Sequence, residues 1–78
     1  MGDIETDRRL DLSGDVCPYT FVKSKLALEE MDPGQVLGVV VDNQESASNV
    51  PRSMELEGHE VLAVEKAPGG WQIVVRKA

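Results

Sequence analysis

The run VLGVVV, residues 36 to 41, constrains the fold of this chain more than any other stretch. No polar side chain interrupts it, and it is far shorter than the roughly 20 apolar residues a membrane-spanning helix needs. A continuous run rich in β-branched residues predicts a strand lying centrally in a sheet or covered on both faces. Such a strand needs partners, and the rest of the chain supplies them. RRLDL, residues 8 to 12, alternates Leu10 and Leu12 with Asp11, the period of a half-buried strand, and Ser13-Gly14 ends it. EVLAVEKA and WQIVVRK flank Pro68-Gly69-Gly70 and read as a hairpin, with Trp71, Ile73 and Val75 on one face.

Helical spacing fills the gaps between the strands. Phe21, Leu28 and Met31 share a face with Ser24 between them, and Asp32-Pro33-Gly34 stops the segment, so a helix is expected over about residues 18 to 31. Pro18 suits its first position, which makes Cys17 the expected N-cap, with Val16 and Phe21 placed to form an apolar staple. Val22 and Leu26 fall on another flank, a rim of the core or a docking surface. Within NQESASNVPRSMELEG, Ala47, Val50 and Met54 recur at helical spacing and Gly58 suits the C′ position. Pro51 removes a backbone donor there, so this helix either begins near Asn49 or kinks after a first turn.

The resulting order is β-α-β-α-β-β. In 78 residues there is room for one domain, read as residues 8–78 behind a loose N-terminus over residues 1–7. The fold class expected is α/β, an α+β two-layer sandwich whose four-stranded mixed sheet carries two helices on one face. If the first two strands are parallel, their C-terminal ends share an edge with both helix N-termini, and Cys17, Asp42 and the start of the second helix become neighbours.

Charge narrows the function. Lys and Arg number 8 against 14 Asp and Glu, a net charge of −6, which repels phosphate backbones and anionic membranes, so neither direct nucleic-acid binding nor membrane binding is expected. One cysteine cannot form an internal disulfide, no apolar segment suits a leader or a span, and the expected compartment is cytoplasmic.

That cysteine is the candidate reactive group. Open amides at a helix start favour a thiolate, by roughly 0.3 to 1 kcal/mol against the 1.4 kcal/mol of a full pKa unit, while Asp15 and Asp42 oppose it. A moderately activated thiol follows. His59 lies beyond the far end of the second helix, so a Cys-His pair is not expected. With no second thiol there is no CxxC couple, and one Cys with one distant His cannot hold zinc. No metal and no cofactor are expected. The residues alone leave Cys17 open between a buried structural thiol and one that a first partner loads and a second unloads.

The string LDLSGDVCP, read as L-D-x-x-G-x-x-C-P, together with PGQVLGVVVDN, NVPRS and GHEVL, resembles the TusA/SirA-like family of sulfur carriers from about Leu10 to Lys77. The resemblance implies that Cys17 accepts sulfane sulfur as a persulfide, acting as a sulfurtransferase. The sulfur comes from a cysteine desulfurase or a rhodanese and passes to an acceptor protein in tRNA thiolation, molybdenum cofactor assembly or sulfur oxidation. It gives Asp11, Gly14, Pro18 and Asp42 as motif and loop support. The family's usual motif is C-P-x-P; here Thr20 stands at the second proline, restoring an N–H and adding a hydroxyl near the sulfur. Tyr19 and Arg52 are the candidate partner or anion contacts, and a monomer is expected. The competing expectation is an interaction or regulatory module in which Cys17 is only a helix cap.

Overall fold

The computed structural model of the chain describes residues 6–16 and 18–78. Four strands and two helices follow in the order β1 (Arg8–Asp11), α1 (Tyr19–Glu29), β2 (Val36–Val41), α2 (Gln44–Leu56), β3 (Glu60–Ala67) and β4 (Gly70–Arg76). They form an α+β sandwich with one mixed sheet ordered β1-β2-β4-β3. β1 pairs with β2 in parallel, while β4 lies antiparallel to both β2 and β3. Both β-α-β steps therefore advance in the same direction across the sheet. With right-handed crossovers, that puts α1 and α2 on one face, where they pack together.

VLGVVV is the inner strand its composition demands. Leu37, Val39 and Val41 are fully buried against the helices, in a core completed by Leu28, Val50, Met54, Ile73 and Val75. Leu10, Phe21 and Trp71 pack around that core without being sealed by it. Most of the loose terminus expected over residues 1–7 lies outside the described residues. Asp7, at its end, is tied to β2: its N–H donates to Val36 O at 2.8 Å and its Oδ2 accepts from Val36 N at 2.7 Å.

The second helix starts ahead of Asn49, so Pro51 lies inside it. It begins at Gln44, capped by Asn43, and runs through Pro51 to Leu56. Burial of Val50 and Met54 on either side of the proline holds the helical path where one backbone bond is missing. Its end follows a Schellman pattern, with Gly58 N donating to Glu55 O at 3.0 Å and His59 N to Met54 O at 3.0 Å. The hairpin turn is tighter than the three-residue spacer suggests, because Gly70 already pairs with Ala67 as the first residue of β4.

Candidate functional site

Parallel pairing brings the C-terminal ends of β1 and β2 to one edge, and a set of hydrogen bonds joins the segments that leave them. Leu12 N continues the ladder to Val40 O at 2.8 Å, and Asp15 N then returns to Leu12 O at 3.0 Å, closing a turn through Gly14 at φ +93°. Asp11 Oδ1 accepts from Ser13 N at 3.0 Å, a local Asx bond. Hydrogen bonding from Ser13, through its side chain and then its backbone, holds the Asp11 carboxyl below the usual carboxylate range, with help from Arg9. Asp42 Oδ2 accepts from Gly14 N at 2.8 Å. Asn43 works at both ends: Nδ2 donates to Asp15 O at 3.0 Å, and Oδ1 accepts from Ser46 N at 2.8 Å as the cap of α2. The loop ahead of α1 is thus fastened to the start of α2.

The entry to α1 differs from the expected one. Pro18, not residue 17, occupies the N-cap, with φ −90° and ψ 3°, and no side chain caps the helix. Cys17, expected there, lies outside the described residues. The turn closes on a backbone acceptor instead, since Val16 O receives both Tyr19 N at 2.8 Å and Thr20 N at 3.3 Å. Two of the amides expected to be open at this helix start are therefore engaged, which reduces the stabilisation that the helix terminus offers an anion. Val16 itself is exposed, while Phe21 packs on the core, so the expected staple forms no part of the buried interior.

Behind this entry the two helices are joined by hydroxyl groups. Thr20 is fully buried, its Oγ1 lies 3.0 Å from Ser46 Oγ, and Ser24 Oγ donates to Thr20 O at 2.7 Å. Of the residues expected to contribute, the edge brings together Asp11, Gly14, Asp42, Pro18 and Thr20. Tyr19 stands exposed on the first turn of α1, and Arg52 is exposed on the second half of α2, away from that helix's start. His59 sits past the far end of α2, its Nδ1 accepting from Ala78 N at 3.1 Å. A 13-residue helix spans roughly 20 Å, which separates the imidazole from this edge. Lys23 Nζ pairs with Asp15 Oδ2 at 2.9 Å, tempering the negative charge nearest the loop.

Sequence reasoning missed Asn43 and Ser46. Asn is a preferred cap, and its position just after the VLGVVV strand was the available signal; Pro51 drew the expected start further along.

Comparison with known proteins gives a consistent picture. The family model described as sulfurtransferase TusA matches residues 8–77. A protein of Archaeoglobus fulgidus, described as a "putative sulfur carrier protein", is 49% identical over 75 residues, covering 95% of this chain and 85% of the relative. One from Thermotoga maritima with the same description is 36% identical over 77 residues, covering 97% and 98%. The crystal structure of a SirA-like protein from Desulfitobacterium hafniense superposes with a TM-score of 0.77 at 31% identity, covering 88% of this chain and 95% of that one.

Proposed function

Because the chain belongs to the sulfurtransferase TusA family of sulfur carriers, we propose that it carries sulfane sulfur as a persulfide on Cys17, between a donor protein and an acceptor protein. The Cys17 thiolate attacks the outer sulfur of a donor persulfide; that S–S bond breaks, a new one forms to Cys17, and the donor thiolate leaves. An acceptor thiolate then attacks the outer sulfur, and Cys17 departs as thiolate. Neither step needs an external oxidant or a metal, and no proton need be held by a neighbouring base. This suits an edge whose described residues include no imidazole.

The observation that supports this reading is the fastening of the loop before Cys17 to α2 through Gly14–Asp42 and Asp15–Asn43. A loop fastened as far as Asp15 needs less ordering at each encounter with two successive partners, which lowers the cost of binding them. The alternative, an interaction or regulatory module in which Cys17 serves only the helix start, predicts that Cys17→Ser keeps both fold and activity. The net charge of −6 favours delivery through acceptor proteins over direct contact with tRNA.

The test is intact-mass measurement after incubation with a cysteine desulfurase and cysteine, or with a rhodanese and thiosulfate. One added sulfur atom on the wild type and none on Cys17→Ser is the expected result. No addition from either donor, or equal addition to the variant, refutes the proposal.

A further inference from the structure

The outward side of α1 carries an apolar stripe among its charged residues. Tyr19 is 62% exposed, Val22 45% and Leu26 55%, at the i, i+3, i+7 spacing by which a helix presents one stripe, and Val16, 52% exposed, continues it into the loop. Beside Leu26 the stripe opens into a groove of about 250 Å³ between α1 and the edge strand β1, floored by Leu10, Leu12 and Ala27. That is below the roughly 300 to 1,000 Å³ of small-molecule pockets and suits a side-chain anchor instead.

We infer that this stripe and groove are the docking face for a protein partner in the sulfur relay, one that inserts an uncharged aliphatic or aromatic side chain beside Leu26. The inference rests on the relay reading above. Three observations select this occupant. The charges around the groove cancel within the chain, as Arg8 Nη1 pairs with Glu30 Oε1 at 2.8 Å and Lys23 with Asp15 at 2.9 Å, so a neutral anchor is matched and a charged one is not. The stripe is built from Val16, Tyr19, Val22 and Leu26, far fewer than the roughly 20 to 30 residues each side of a stable complex buries, which suits a partner that must leave after transfer. A second copy is disfavoured, because two chains of net charge −6 repel each other. The stripe also begins at Val16, the neighbour of Cys17 in sequence, so a partner seated on it lies beside the loop that carries the thiol.

The experiment compares two sulfur sources on Leu26→Gln, Val22→Gln and, as a control on the far edge of the sheet, Val64→Gln, whose side chain is 44% exposed. Loading is followed by intact mass, from a cysteine desulfurase with cysteine and from glutathione persulfide, a small donor that needs no docking face. The expected result is an increase on the order of tenfold in the concentration of Leu26→Gln and Val22→Gln needed for half-maximal loading by the desulfurase. Loading from glutathione persulfide and thermal stability stay at wild-type values, and Val64→Gln behaves as wild type with both donors. Wild-type loading of Leu26→Gln and Val22→Gln by the desulfurase overturns the inference, as does an equal loss in Val64→Gln. A wild-type dimer in sedimentation that Leu26→Gln dissolves also overturns it, assigning the face to a second copy. If the wild type loads from neither source, the relay reading itself fails and the docking inference falls with it.

Discussion

Replacing Gly70 by alanine tests how the hairpin and the loop edge are held together. A Cβ built at Gly70 would lie 2.1 Å from Val41 O and 3.0 Å from Asp42 Cα. An unstrained C···O contact is about 3.3 Å, so strand β2 or β4 must move by roughly 1.2 Å. The obstacle is backbone rather than a side chain able to rotate away, which puts the cost at the upper end of overpacking, about 3 kcal/mol. For a domain of this length that corresponds to a fall in melting temperature of roughly 12 to 24 °C. Gly69→Ala provides the internal comparison, because nothing lies within 4 Å of its Cβ and the only penalty is the left-handed backbone at φ +79°. That penalty is about 1 kcal/mol, or roughly 4 to 8 °C. The assay is thermal unfolding of both variants by circular dichroism. A Gly70→Ala melting point within about 5 °C of wild type, or above that of Gly69→Ala, refutes the packing argument.

Further substitutions probe separate parts of the structure. Asn43→Ala should lower stability by about 1 kcal/mol in denaturant titration through loss of the α2 cap. Asn43→Asp keeps the cap acceptor but not the donor to Asp15 O, so it should speed hydrogen exchange at Gly14 and Asp15 without that loss of stability. Asp11 titrates below its usual value when folded, so the unfolded chain takes up the proton first; its stabilising contribution is complete above pH 3.8 and declines as pH falls through the lowered value. Asp11→Asn should therefore flatten the acid limb of a stability-versus-pH curve, and an unchanged limb contradicts the Ser13 hydrogen bonds. Leu28→Ala, at a fully buried position facing the sheet, should cost about 2 to 5 kcal/mol in the same titration.

The sheet was legible in the sequence because its strands follow simple rules. VLGVVV needed a central place or two covered faces and took the central place, and Pro68-Gly69 between two β-rich runs needed a turn and forms one. The helices were less legible for opposite reasons. On α1 the buried stripe includes Thr20 and Ser24, polar residues whose hydroxyls are bonded inside the structure, so a search for apolar spacing passed over Thr20 and Ala27. On α2 the proline suggested a boundary, whereas packing of Val50 and Met54 into the core outweighs one missing backbone bond. Asp42 and Gly14 announced themselves within a motif, but their direct bond, and the double use of Asn43, depend on strands 28 residues apart in sequence meeting at one edge. Spacing along the chain does not carry that information.

Localising the transferred atom tests the proposed relay at its chemical centre. The protein is loaded by a cysteine desulfurase with isotopically labelled cysteine sulfur, freed of donor and digested, and each peptide is read by tandem mass spectrometry before and after dithiothreitol. The relay predicts one labelled sulfur on Cys17, released by dithiothreitol as sulfide with the thiol restored. Label on any other residue, or a Cys17 peptide that stays unlabelled while the donor turns over, contradicts it.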